Sequence, residues 1–112
     1  MGYAQFPDQL ASKPDGVVES TTSFGTEGNI TAPFHLGRVA THEVGHWLNL
    51  QHIFGSDIGC GYDDMVADTP IQIGPHGGCP NHPSFSCGNN DMFMNYMDYT
   101  VDACKNIFSQ GQ

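Results

Sequence analysis

The segment His42-Glu43-Val44-Gly45-His46-Trp47-Leu48-Asn49-Leu50-Gln51-His52 holds three of the chain's six histidines. On a helix, His42 and His46 project from one face about one turn apart, so one nitrogen from each can reach a single tetrahedral metal ion. Glu43 stands where a carboxylate can take a proton from a metal-bound water, the arrangement used in metal-assisted hydrolysis. His52 lies too far along a straight helix to meet the same ion. The chain therefore has to turn after His46, and Asn49 is placed for that turn, because Asn tolerates the left-handed backbone at a helix C-terminus. Three neutral imidazoles with a fourth position left open describe a catalytic rather than a structural zinc site. A helix with incidental histidines leaves the adjacent glutamate, the turn residue and the third histidine unexplained.

These residues need a helix to carry them, expected from about Leu36 to Leu48. Leu36, Val39, Ala40, Val44 and Trp47 recur at helical spacing and should face the core, with His42 and His46 toward a cleft. Gly45 inside that helix costs about 1 kcal/mol relative to Ala, which points to close approach by another backbone. Upstream, Gly2 to Pro7 reads as a short strand with Tyr3 and Phe6, ended by Pro7. Pro14-Asp15-Gly16 is a turn signal, and Gly16 to Thr22 reads as a second strand. Phe24 to Phe34 reads as loop. From Gln51 to Asn90 turn residues dominate and little regular structure is expected, while Cys104 to Phe108 should begin a short terminal helix. Asp63, Asp64, Asp68 and Thr69 gather between Cys60 and Pro70, an oxygen-rich loop suited to calcium or to a solvated acidic turn. His35, His76 and His82 read as surface or loop residues.

The 112 residues make one domain at most. Only 38% are hydrophobic, and the 14 glycines and 7 prolines imply many turns, so disulfides or metal ions are expected to supplement the core. Net charge is −9, with Lys13, Arg38 and Lys105 the only cations. Nucleic acid and anionic membranes need a basic footprint that this chain lacks, whereas acidity suits cations and basic substrates. Cys60, Cys79, Cys87 and Cys104 contain no C-x-x-C pair, so two disulfides are the natural reading, and these imply a secreted or extracytoplasmic setting. The residues alone leave three pairings open. The sequence shows no signal peptide and no transmembrane run.

His42 to His52 resembles the extended zinc motif of metzincin metallopeptidases, with Asn49 where glycine is usual. Asn95-Tyr96-Met97-Asp98-Tyr99 resembles their Met-turn. Together with Cys60, Asp68-Thr69-Pro70, Cys79-Pro80, Asp102 and Cys104, the chain resembles the pappalysin family from Gly2-Tyr3-Ala4-Gln5-Phe6-Pro7 to its last residue. The resemblance implies an α+β, metzincin-like (zincin) fold: a small N-terminal strand ribbon, one zinc-binding helix and an irregular C-terminal half stapled by disulfides. Residues 1–112 would be the core of such a catalytic domain, trimmed at both ends.

The resemblance also implies roles. His42, His46 and His52 hold Zn2+, Glu43 is the general base, Tyr99 hydrogen-bonds the developing oxyanion, and Met97 is an apolar floor beneath the metal. Cys60 pairs with Cys87 and Cys79 with Cys104, each bridge stabilising by about 3–4 kcal/mol through loop-closure entropy. Calcium would be held by Asp64 and Thr69 with help from the Val66 carbonyl. Gly16 to Ser20 is the candidate for an edge strand that pairs with an extended substrate, unless it is an ordinary ribbon strand. The function implied is a secreted zinc endopeptidase that cuts internal bonds of extended peptides or proteins through a Glu-assisted, zinc-bound water. A preference for a basic residue after the cut would come from Asp102 or the overall acidity. The alternative is a zinc- and peptide-binding fragment without useful turnover. A protease with a downstream glutamate ligand is disfavoured, because Glu43 is the last glutamate in the chain.

Overall fold

The structure, a computed structural model, describes residues 1–7 and 15–112; the expected turn at Pro14 lies partly outside them. Strand β1, Gly2–Ala4, pairs antiparallel with β2, Val17–Glu19, in the register Gly2 with Glu19, Tyr3 with Val18 and Ala4 with Val17. Both strands pack on helix α1, Arg38–Trp47. Gly2 permits this packing. A Cβ there would lie 2.7 Å from the Val18 carbonyl oxygen and 3.0 Å from Glu43 Cγ.

Helix α1 ends as the sequence implies. Asn49 has φ 78°, the Leu50 amide donates to the Gly45 carbonyl at 2.9 Å and the Asn49 amide to the His46 carbonyl at 2.9 Å. These two bonds make a Schellman cap. The start of the helix is held from a distance instead. Gly37 offers no side-chain cap, and Asp102 Oδ2 accepts the amides of Leu36 (2.8 Å) and Arg38 (3.3 Å), placing an anion at the positive end of the helix.

One expectation about α1 needs correction. Val39 is buried, but Leu36, Val44 and Trp47 are 40%, 42% and 41% exposed. The ribbon packs on the Val39–Glu43 side, and Val44 is only flanked by Val17 and Glu19 of β2 across an open groove. Trp47 instead turns outward and donates its indole N–H to Asp15 Oδ1 at 2.8 Å.

The apolar core lies after the helix: Ile53, Phe54 and Met97, with Leu50 and Met92 packed against them. Around it the C-terminal half is irregular. It carries the disulfides Cys60–Cys87 and Cys79–Cys104, with Cα atoms 5.5 and 5.7 Å apart. Two details differ from the sequence reading. A small hairpin, β3 (Phe85–Ser86) with β4 (Asn89–Asn90), interrupts the loops. No helix begins at Cys104; a 3₁₀ turn covers Asp102–Cys104, and the chain then runs extended. The cause is pairing with the Met97 segment, where the Asn106 amide donates to the Met94 carbonyl and the Tyr96 amide to the Ile107 carbonyl, both at 2.9 Å.

Candidate active site

The helix and the Schellman turn bring His42, His46 and His52 together, with one nitrogen from each within 4.8 Å of the others. His46 Nε2 lies 3.1 Å from His42 Nε2 and 3.1 Å from His52 Nε2. The outer nitrogens fix the tautomers of the helical pair. His42 Nδ1 is 2.7 Å from the Tyr96 carbonyl and His46 Nδ1 is 2.7 Å from the Leu50 carbonyl. Carbonyl oxygens only accept, so each Nδ1 carries the proton and each Nε2 presents a bare lone pair. Two lone pairs facing each other at this distance repel unless a cation lies between them. Tetrahedral zinc with Zn–N bonds near 2.0–2.1 Å has N–N edges of about 3.4 Å, close to the observed spacing. The residues therefore fit the ion.

Burial supports ligation. It pulls His42 down to about 3, with the Lys105 charge adding to the effect, and His52 down to about 4, with His46 adding. His46 is also lowered, chiefly by burial. All three rings are thus neutral at pH 7, as metal ligands must be.

Glu43 is pushed up to about 7, first by burial and then by Glu19, with Lys105 opposing. A carboxylate poised there can take a proton and return it near neutral pH. The Tyr99 ring stands edge-on to His52 with centroids 4.7 Å apart and 6.0 Å from His42; burial, then Glu43, raises its phenol. Met97 is fully buried and explains Gly45. A Cβ on Gly45 would lie 2.5 Å from Met97 Sδ, so the close approach comes from a side chain rather than the expected backbone. Asn95 shapes this turn by accepting the Met97 amide at 2.8 Å.

The cleft over these groups has a volume of about 560 Å3, and its rim includes Met1, Gly2, Tyr3 and Ala4. The strand along the cleft is thus β1, not the Gly16–Ser20 segment, because β2 lies behind β1 in the ribbon. Hydrogen bonds from Ser20 to Met1 and from Gln5 to Gly16, both 3.0 Å, set the alternation. By it, Gly2 and Ala4 point their N–H and C=O groups away from β2. Asp102 is also relocated. It is 1% exposed, serves the helix start and is not among the cleft residues.

Two residues escaped the sequence reading. Lys105 lines the cleft, and its only advance signal was being one of three cations, close after the Met-turn. His76, read as a surface or loop residue, lies in a loop but sits between Asp98 Oδ2 (3.0 Å) and Asp91 Oδ2 (3.3 Å). In the acidic loop, the single hydroxyl hydrogen of Thr69 is shared between Asp64 Oδ1 (2.7 Å) and the Val66 carbonyl (2.8 Å). Asp64 is 3% exposed, and its Oδ2 has no hydrogen-bond partner.

The peptidase M43 family model described as pregnancy-associated plasma protein-A matches residues 1–112. The chain belongs to this family. It is 44% identical over 117 residues to "Extracellular metalloprotease 1" of Coccidioides posadasii, covering 100% of this chain and 42% of that relative. It is 46% identical over 109 residues to the "Extracellular metalloprotease" of Arthroderma otae, covering 95% of this chain and 39% of that one. Mature mirolysin of Tannerella forsythia, solved in complex with a cleaved peptide, superposes with a TM-score of 0.92 at 52% identity, covering 98% of this chain and 43% of the mirolysin chain. The α+β metzincin-like fold follows from this match and from the elements described. The chain of this M43 member spans well under half the length of these relatives. Family and histidine cluster together imply a bound metal, typically zinc.

Proposed function

We propose that this chain is the core of a secreted zinc endopeptidase domain, acting on peptides or proteins in extended conformation. The observation that carries this reading is the tautomer-fixed His42–His46 pair, with Glu43 beside it and raised to about 7. His42, His46 and His52 would hold zinc, which supplies Lewis acidity to a water and to the scissile carbonyl. Glu43 takes the proton of the attacking water and passes it to the leaving amine. Tyr99, at the cleft rim, donates a hydrogen bond from its hydroxyl to the oxygen on which charge develops. The outward N–H and C=O groups of Gly2 and Ala4 pair with the substrate backbone as an added strand. The relatives named extracellular metalloproteases and the two disulfides support secretion.

The test is cleavage of quenched peptides by the zinc-loaded chain. Glu43→Gln should keep one equivalent of zinc and lose about 10²–10⁴-fold in kcat. Zinc bound without any cleavage by the unsubstituted chain would leave only a zinc- and peptide-binding fragment.

Calcium at Asp64, Val66 and Thr69 is proposed from the unpartnered, buried Asp64 Oδ2, whose burial also raises its carboxyl. A cation there would satisfy it. Millimolar calcium should raise Tm, and Asp64→Ala should abolish the rise; an equal rise in both proteins removes the site.

A further inference from the structure

We propose that Lys105 makes this cleft selective for a carboxylate beside the scissile bond, so that the favoured substrates carry Asp or Glu there rather than a basic residue. The inference rests on the peptidase reading above and names the substrate class of the same site. Lys105 is the only cationic side chain among the described residues lining the cleft, where it stands with Phe34, Val39, His42, Glu43 and Tyr99. It is 5% exposed. Phe34 and Val39 are apolar walls, and a charge beside such walls is screened less than at an open surface, so it attracts an opposite charge more strongly.

The scaffold fixes where the residue points. The 3₁₀ turn before it is pinned by Asp102 to the start of α1 and by Cys104 to Cys79. The Lys105 amide bonds the Asp102 carbonyl at 3.3 Å, and the next amide, of Asn106, is paired to Met94. The backbone is thus held on both sides of the side chain.

The acidic groups nearest in charge are committed elsewhere. Asp98 accepts from Gln72, from the backbone and ring of His76, and from the Tyr99 amide. Asp102 Oδ2 serves the helix start, and Glu43 is the base. Asp102 Oδ1 is buried without a hydrogen-bond partner, yet the ion pairs among the described residues are those of His76 alone. The ammonium therefore remains for an incoming anion. The basic preference expected from acidity and Asp102 is reversed locally, because net charge acts at long range and is screened by salt.

The carboxylate could belong to a substrate side chain or to a peptide C-terminus. The test uses quenched peptides varied at the residues flanking the cut, each made with a free and with an amidated C-terminus, assayed with the zinc-loaded chain, Lys105→Met and Lys105→Glu. The chain should cleave Asp or Glu peptides about tenfold or more better in kcat/KM than Lys or Arg peptides. Lys105→Met should flatten that ratio, and Lys105→Glu should invert it. Equal selectivity for amidated peptides assigns the carboxylate to the side chain; selectivity lost on amidation assigns it to the C-terminus.

A binding arm separates this idea from turnover. Fluorescence anisotropy with zinc-loaded Glu43→Gln should show the same order of affinities, even if the unsubstituted chain proves inactive. A basic or absent preference in that arm, or one unchanged by Lys105→Met, overturns the proposal; it would mean the ammonium is held by Asp102 Oδ1 or lies out of reach.

Discussion

The metal-facing end of α1 and the loops beneath Met97 both bury polar groups, but they do so in opposite ways. In the lower half the carboxylates of Asp91 and Asp98 are satisfied by their neighbours, though Gln72 Oε1 is left without a partner. Asp98, fully buried, accepts four hydrogen bonds between 2.7 and 3.0 Å, and Asp91 accepts from Ser84 and Ser86. At the helix the outer nitrogens of His42 and His46 are satisfied while their inner nitrogens confront each other. A scaffold closes its polar network; a site leaves part of its network open for a ligand. The sparse apolar core of Ile53, Phe54 and Met97 makes the closed network important for stability, since few aliphatic contacts share the task.

This contrast can be broken by substitution. His46→Ala should weaken zinc binding by more than about 100-fold, since losing only the hydrogen-bond partner of a ligand already costs about 10–100-fold. The zinc-free protein should stay within about 1 kcal/mol of its original stability, because an unfavourable lone-pair contact is removed. Metal titration and urea unfolding read the two effects separately. A large loss of zinc-free stability would show that the histidines belong to the scaffold.

The opposite outcome is expected for Asp98→Ala. It takes one partner each from the Gln72 amide and the His76 ring and strands the backbone amides of His76 and Tyr99, and should cost about 2–4 kcal/mol in urea unfolding of the oxidised protein. A change below about 1 kcal/mol would mean that water replaces the carboxylate and that the lower half is not closed.

Acid should separate the folded site from its isolated segment by a smaller margin. Burial holds His42 near 3 and His52 near 4, below the ordinary value, so between pH 6.5 and about 5 the folded chain keeps imidazoles that an unfolded one would protonate. A protonated ring must lose its proton to bind zinc, at about tenfold in affinity per ring per pH unit. Zinc affinity should therefore fall much less from pH 8 to 5.5 for the protein than for the bare segment. For a synthetic peptide spanning His42 to His52 it should fall by roughly a thousandfold at pH 5.5. Parallel curves in a competition assay with a chelating dye would show that burial does not protect the rings.

How much of this was legible beforehand depends on the range of the interaction involved. The histidine trio, the helix and its turn at Asn49 could be read directly. Helical spacing and the tolerance of Asn for positive φ are properties of a few neighbouring residues. The Met-turn and the interlocking cysteines were legible only by resemblance, because no local rule says which cysteine meets which. The exposed Val44 side of α1 was misread because a periodic apolar stripe reports what a helix could bury, not whether a neighbour is there to cover it.

The order of the amino acids was enough to bring three imidazoles and a carboxylate together, because spacing along one helix and one turn is a local property. The folded chain as a whole set what surrounds the histidine cluster. It placed β1 rather than β2 at the cleft, turned Asp102 from a guessed specificity group into the anchor of the helix start, and aimed Lys105 into the site. Each of those depends on contacts between residues far apart in the chain, such as the 66 positions between Leu36 and Asp102. Such contacts are set by packing and by the satisfaction of buried polar groups, and neither leaves a periodic trace in the order of the amino acids.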